Sequence, residues 1–255
     1  MVRELIKRFV RPILYDHVVS TPMFARYMGW RRAKLKRTYI SLRGNVVASG
    51  PFAGMRLHPD YSELPKFLGT CEAPLHPAIR TLIARSYDVV LNIGCAEGYY
   101  TIGFARVMPA VRVEAFDIDT IQRTRCRINV DLNGVADRVC IASRFHGEMF
   151  DSFDSQRILV ICDIEGDEVD LLRPDKWHGL RTIDLLVELH EEKAQDIVGL
   201  FQTRFHATHD MTHIPRQLIT DLRPIEELFN FEMDQLAAIY ENRFGPTSWL
   251  LLLRR

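Results

Sequence analysis

Three sets of residues in this chain have types and spacings suited to chemistry. The first is the run Val89-Val-Leu-Asn-Ile-Gly-Cys-Ala-Glu-Gly-Tyr-Tyr100, a buried strand leading into a small-residue loop and then a helix. Glycines at 94 and 98, with Ala96 nearly as small, take side chains away where a backbone must turn tightly and approach a ligand. A dinucleotide fingerprint would place glycines at 94, 96 and 99. Position 99 is Tyr instead, and the last glycine stands one residue early, at 98. The loop is therefore G-x-A-x-G, shorter than the dinucleotide spacing. Pyrophosphate could use a free helix N-terminus, but no Lys or Ser/Thr stands at P-loop spacing; a turn with no ligand is the plainer role.

The second set is Asp117 with Ile118. Asp117 follows Gly98 by 19 residues, at the end of the next strand pattern. A carboxylate there can accept both hydroxyls of a ribose in a charge-assisted contact, with Ile118 flanking the base. Helix capping is the alternative for an acid in this place, and Asp119 or Thr120 could serve as that cap. The third set is Asp163, Glu165, Glu188 and His190. Side chains alternate faces along a regular strand. Leu159, Ile161, Asp163 and Glu165 would therefore share one side of their strand, and Asp184, Leu186, Glu188 and His190 one side of theirs. Gly166 lets the chain turn away after Glu165. An imidazole with an ordinary pKa of about 6.5 suits general-base work near neutral pH. Clustered carboxylates suit a hard cation such as Mg²⁺ equally well. Glu165 and Glu168 could instead cap or decorate the following helix.

The elements that must position these groups begin at Tyr87. Strands are expected over 88–93, 111–116, 138–142, 158–164, 183–189, 205–213 and 247–253. Helices are expected over 99–108, 119–132, 168–172, 191–201 and 233–240. Strand–helix alternation of this kind argues for an open parallel sheet with right-handed crossovers, and such sheets bind ligands beyond the carboxyl ends of their strands. Upstream, residues 46–86 are rich in Gly and Pro and read as a connecting region of turns and short helices. His206, His209 and His213 do not form a metal set, because His209 and His213 would stand roughly 13 Å apart along a strand.

The chain has 255 residues, with 33 basic and 33 acidic side chains and 47% apolar residues. Its 14 Phe, 8 Tyr and 3 Trp provide a core and argue against disorder. The zero net charge hides an asymmetry: residues 1–45 hold 11 Lys/Arg against Glu4 and Asp16, a net of +9, which leaves −9 on the rest. Val2, Leu5, Ile6, Phe9, Val10 and Ile13 have helical spacing, and a second basic cluster runs Arg31-Arg-Ala-Lys-Leu-Lys-Arg37. Two readings stand: an interfacial segment touching anionic lipid or an acidic partner, or an amphipathic helix packed on the domain with a solvated basic face. A nucleic-acid partner is not expected, since no binding module is recognisable. The five cysteines (71, 95, 126, 140 and 162) are scattered without a CxxC. Cys95, Cys140 and Cys162 read as space-filling residues in or beside buried strands, and a reducing cytoplasm is the expected compartment.

From Tyr87 onward the sequence resembles the class I S-adenosylmethionine-dependent methyltransferases, and among them the FkbM-type family. Four blocks carry the likeness: Asn92-Ile-Gly-Cys-Ala-Glu-Gly98; Ala115-Phe-Asp-Ile-Asp119 with Asn133-Gly134 at the next helix stop; Cys162-Asp-Ile-Glu-Gly-Asp-Glu168; and Leu186-Val-Glu-Leu-His190. The resemblance implies a Rossmann-like α/β fold over 87–255, the methyltransferase domain, with a seven-stranded, mostly parallel sheet whose last strand is antiparallel. Charge and composition, not the resemblance, set off 1–45 as a basic amphipathic, helical N-terminal extension and 46–86 as a Gly/Pro-rich connecting region. S-adenosylmethionine would be held by Asn92, Gly94, Cys95, Ala96, Glu97, Gly98, Tyr99, Asp117 and Ile118. The implied strand order makes the fourth and fifth strands neighbours, so that Asp163, Glu165, Glu188 and His190 converge. His190 is then the first choice for general base, Asp163 orients it or binds the acceptor, and Glu165 stands beside them; Mg²⁺ on the carboxylates is the alternative. The implied reaction is methylation of a hydroxyl on a sugar, glycan precursor or secondary metabolite. Asp163-Ile-Glu-Gly166 lacks the Pro-Pro-aromatic run common in N-methyltransferases, which favours oxygen. A protein or nucleic-acid methyltransferase docking through residues 1–45, and a cofactor-binding module without chemistry, remain as rivals. The chain departs from the family at Asn92, where an acid is common, at Ala96, where glycine is common, and at Ala142-Ser-Arg-Phe145, which offers no acid to an adenine amine.

Overall fold

The computed structural model describes residues 22–153, 156–190, 196–215, 229, 234–235, 238 and 247–255. The helical pattern at 2–13, the start of the helix expected over 191–201 and most of that over 233–240 lie outside the described residues.

Short runs rich in apolar and β-branched residues form most of the strands. These are β1 (Val89–Ile93), β2 (Arg112–Phe116), β3 (Val139–Ala142), β4 (Ile158–Cys162), β5 (Asp184–His190), β6 (His209–Pro215) and β7 (Thr247–Arg254). They make one seven-stranded sheet in the order β3-β2-β1-β4-β5-β7-β6. The first five strands run parallel, and β7 is antiparallel to both its neighbours. Every residue of β1, β4 and β5 is buried, as expected for central strands covered on both faces. Strand order reverses direction between β1 and β4, and the carboxyl ends of those strands form the switch-point crevice where such sheets take ligands.

The described helices are α1 (Pro22–Arg43), α2 (Leu64–Leu68), α3 (His76–Arg85), α4 (Tyr99–Val107), α5 (Thr120–Leu132), α6 (Glu168–Leu171) and α7 (Ile197–Phe205). Asp119 caps α5, its Oδ1 accepting the Ile121 N–H at 2.7 Å, and Gly134 follows the helix at φ +63°. Among the described residues no helix is long and apolar enough to cross a membrane.

The segment 46–86 is more than a connector. Val47, Phe52, Met55, Leu57, Phe67, Leu75 and Leu82 join Val90, Ile102, Phe104, Leu159 and Ile161 in one buried cluster on one face of the sheet. On the other face Leu91, Val160, Leu185 and Val187 pack with Phe150, Phe201 and Phe205. The Gly/Pro density that reads as linker supplies tight turns for a compact cap. Helix α1 packs on this cap through Met28, Leu35 and Tyr39, and the Tyr39 hydroxyl donates to the Val46 carbonyl at 2.6 Å.

Two expected boundaries shift, with consequences. The fourth strand stops at Cys162, so Asp163 and Glu165 stand beyond it and strand alternation does not govern them. Phe205 ends α7, and the sixth strand begins at His209. Cys140 is exposed, contrary to its expected burial, because β3 is an edge strand with one uncovered side.

Candidate active site

The loop after β1 is built by backbone. The N–H groups of Gly94 and Cys95 both donate to the Phe116 carbonyl, at 2.8 and 2.9 Å, which folds the chain sharply off the strand. Gly94 has φ +84°, and a β-carbon on it would stand 1.7 Å from the carbonyl oxygen of Asp163. Only glycine lets β1 and the end of β4 approach this closely. Gly98, at φ +93°, starts α4. Ala96 also has positive φ, +47°, a conformation that glycine adopts more readily. Its N–H donates to Asp117 Oδ2 at 2.9 Å, so a charge-assisted bond holds the less favourable conformation.

Asp117 also accepts the Asp119 N–H through Oδ1 at 2.8 Å. A carboxylate has about four acceptor positions, so two are left for donors from outside. Ile118 beside it is 75% exposed, an apolar surface at the rim of the loop. Arg123 braces this turn by donating to the Asp117 and Ile118 carbonyls at 2.7 and 3.0 Å.

The other expected loop residues have internal partners. Asn92 is buried, and its amide donates to Thr101 Oγ1 at 2.8 Å, which ties β1 to α4. Tyr99 packs edge-on against Phe52 with ring centroids 5.5 Å apart. Glu97 forms an ion pair with Lys66 of α2. Cys95 is buried beside Cys126 of α5, and a hydrogen bond between the thiols, with burial, pushes its pKa up, which fits a space-filling role.

At the carboxyl ends of β4 and β5 the acids gather on one imidazole. His190 Nε2 lies 3.3 Å from Glu165 Oε2 and 3.9 Å from Asp163 Oδ1. Its Nδ1 lies 3.2 Å from Glu168 Oε1. Glu165 reaches the ring because its backbone turns at φ +56°, followed by Gly166 at φ +109°. The ring is buried, its Nδ1 closed off from solvent, while Glu165 beside Nε2 is exposed. The Glu168 interaction, followed by the nearby acids, raises the His190 pKa above the ordinary histidine value. Glu188 is buried two residues back on β5, opposite Trp249 of β7.

Sequence reasoning treats Glu168 as a helix decoration and gives no role to Lys66, Glu72 or Asn129. The fold uses all four. Glu168 is fully buried and also accepts the Ile164 N–H at 2.8 Å. Tyr100 donates to Glu72 Oε2, which joins the Leu68–Glu72 stretch to α4. Asn129 is fully buried; it accepts the His58 N–H at 2.7 Å and donates to the Glu97 carbonyl at 2.9 Å. The signal for Glu168 was in its block, three residues after Glu165, but spacing alone does not distinguish a cap from a buried partner.

No family model matches the chain. A ribosomal protein L11 methyltransferase from Desulforamulus reducens is 32% identical over 93 residues, 36% of this chain and 29% of that protein; the match thus spans under a third of that relative. Among solved structures, an rRNA methylase from Streptococcus thermophilus aligns at 11% identity over 71% of this chain and 96% of its own, with a TM-score of 0.49. The O-methyltransferase TomG from Streptomyces achromogenes, in complex with SAM, aligns at 13% identity over 88% and 89%, with a TM-score of 0.47. With six strands pointing one way, an antiparallel β7 inserted between β5 and β6, and the glycine loop on β1, the chain has the Rossmann-like fold of the class I methyltransferases.

Proposed function

We propose that the chain is an S-adenosylmethionine-dependent methyltransferase that methylates a hydroxyl oxygen, with His190 as general base. The observation that carries this reading is the buried Glu168–His190 pair, whose Nε2 side opens between Asp163 and Glu165 next to the glycine loop. Two features support the cofactor: Gly94 turns the chain sharply off β1 into a loop of small residues at the switch point, and Asp117 at its edge keeps acceptor positions for ribose hydroxyls. Gly94, Ala96, Gly98, Asp117 and Ile118 would hold it. When bound, S-adenosylmethionine supplies a methyl group on a sulfonium and leaves as a neutral thioether.

An alcohol is a weak nucleophile while it keeps its proton. With its proton on Nδ1, the side that lies 3.2 Å from Glu168, neutral His190 would present the Nε2 lone pair to an acceptor hydroxyl. As the oxygen forms its new bond to carbon, the hydroxyl proton passes to Nε2. The resulting imidazolium is stabilised by Glu168 on one side and by Asp163 and Glu165 on the other. A sugar, glycan precursor or secondary metabolite is the acceptor class we favour. The curated relative's name supports ribosomal protein as the alternative acceptor, so a trial panel includes both.

A second reading has a specific observation behind it. The ligand atoms of Asp163, Glu165 and His190 all lie within 4.8 Å of one another, a set that fits one hard divalent cation such as Mg²⁺, with Glu168 orienting the histidine from behind. Such an ion would lower the pKa of the hydroxyl directly. Turnover that stops with chelator and returns with Mg²⁺ favours this version over the free base.

Calorimetric titration with S-adenosylmethionine, S-adenosylhomocysteine and NAD tests the cofactor. Micromolar binding of the sulfur nucleosides, with none of NAD, is expected. A folded protein that binds neither overturns the proposal. Labelled-methyl transfer to the acceptor panel then separates an enzyme from a binding module without chemistry.

A further inference from the structure

We infer that the outer face of α1 is a docking surface for an anionic lipid bilayer. The helix carries seven Lys/Arg and no Asp or Glu over its 22 residues. Its inner face is occupied, with Met28, Leu35 and Tyr39 buried against the cap. The outer face is of another kind. Met23 is 82% exposed, Trp30 59% and Tyr27 40%, and Arg26, Lys34 and Arg37 are exposed between and beyond them. At 100° per residue these six lie in one stripe about 100° wide, roughly 20 Å long at 1.5 Å per residue. The Lys34 ammonium lies 5.9 Å from the centre of the Trp30 ring, so indole and cation form one patch.

A solvated basic face needs no exposed tryptophan and methionine, and an ordinary hydrophobic contact needs no unbroken positive charge. The two together match a bilayer interface. Indole and phenol rings sit at headgroup level, and a thioether reaches the acyl boundary. Each Lys or Arg near an anionic surface adds roughly a further fivefold in affinity. Single-stranded nucleic acid is the other polyanion with a taste for aromatic rings, but it is held in positively charged grooves with stacking platforms. The stripe is the convex side of a single helix, which suits a plane rather than a groove. This surface does not depend on the reaction proposed above.

Vesicle flotation of the full chain tests the inference, with phosphatidylcholine vesicles compared against vesicles containing about one third phosphatidylglycerol. Binding to the anionic vesicles alone, lost at high salt as surface charges are screened, is expected. The triple variant R26E/K34E/R37E should lower partitioning by about a hundredfold, and Trp30→Ala should lower it further in that background. All four positions are exposed, so circular dichroism should match wild type; if the triple variant does not fold, Arg37→Glu alone should lower partitioning about fivefold. Absence of vesicle binding overturns the inference. So does binding that the folded charge-reversal variants leave unchanged, which would assign it to another basic segment. Binding of an RNA oligonucleotide without binding of vesicles overturns it in favour of nucleic acid.

Discussion

Nδ1 of His190 lies 3.2 Å from Oε1 of Glu168, a carboxylate that solvent does not reach. Burial alone would push that carboxyl upward. The interaction with His190 and the bond from the Ile164 N–H outweigh it, and the Glu168 pKa is lowered, while Glu168 is the largest influence raising His190. The two groups are therefore charged together over a pH window around the ordinary histidine value. For a base that must be neutral to act, turnover should rise with pH, with an inflection above about 6.5. Glu168→Gln should move that inflection to lower pH and reduce the rate. A profile with the same inflection in the variant would remove Glu168 from the mechanism.

Stability should follow the same pair with opposite signs at its two ends. The raised His190 contributes stability that is present below the unfolded histidine pKa and lost as pH rises through the folded value. The lowered Glu168 contributes stability that is present above the unfolded carboxyl pKa and lost as pH falls through its folded value. Denaturant unfolding of wild type and His190→Ala across pH 4–8 should therefore show the largest difference between roughly pH 4.5 and 6.5. At fixed pH, His190→Ala should slow turnover by about 10²–10⁴-fold with cofactor affinity unchanged. Wild-type turnover in that variant refutes the base.

Asp117 both pins the loop and faces its mouth. Asp117→Ala removes the acceptor of the Ala96 N–H and the acceptor for a ribose, and should weaken S-adenosylhomocysteine binding by about 2–3 kcal/mol in a calorimetric titration. Asp117→Asn keeps one carbonyl acceptor and should lose less. Equal affinity in all three proteins would mean that the nucleoside sits elsewhere.

The two loop glycines should differ in what they tolerate. A β-carbon at Gly94 meets backbone, 1.7 Å from the Asp163 carbonyl oxygen, whereas one at Gly98 meets the side chains of Ile102 and Cys126 at 2.6 and 2.7 Å. Backbone cannot give without moving Asp163 away from His190, but an Ile terminus can rotate. Both positions have positive φ, so both carry the strain of a left-handed alanine, about 1–2 kcal/mol. Gly94→Ala should cost about 3 kcal/mol or more in denaturant unfolding and lose turnover. Gly98→Ala should cost less; the reverse order would contradict the close approach of β1 and β4.

Much of this arrangement was legible in the sequence because it rests on local rules. Buried apolar strands, the Asp119 cap and the glycine loop each follow from neighbouring residues. Strand alternation with the implied strand order predicts that Asp163, Glu165, Glu188 and His190 converge; three of them meet, by another route, because β4 ends at Cys162 and a left-handed Glu165 stands beside the ring, while Glu188 stays two residues back on β5, opposite Trp249. Glu168 was missed because a glutamate in the first turn of a helix is ordinarily a solvated group, and only the packing around α6 makes it a buried partner. The contacts that make 46–86 a cap, such as His58 to Asn129, join residues far apart in sequence, whereas its Gly/Pro content alone reads as a connector. No spacing within either stretch contains that information.

Asn129 offers the sharpest test of whether that segment supports the cofactor loop or merely covers the core. Two asparagines, Asn129 of α5 and Asn133 just after it, hold the cap. Asn133 accepts the Arg56 N–H at 2.9 Å and donates to the Arg56 carbonyl at 2.7 Å. Asn129 holds the His58 N–H in the same way, but its other end donates to the carbonyl of Glu97, inside the glycine loop. Lys66 reaches the same residue from α2 through its side chain. Both asparagine substitutions loosen the cap, so both should lower stability, by about 1 kcal/mol for Asn133→Ala and about 2–3 kcal/mol for the buried Asn129→Ala. Only Asn129→Ala frees the Glu97 peptide, so only it should weaken S-adenosylhomocysteine binding, by about tenfold in protein still folded at the temperature of the titration. If the two variants lose affinity equally, the loop depends on the cap as a whole; if neither does, the loop stands on Asp117 and its own glycines.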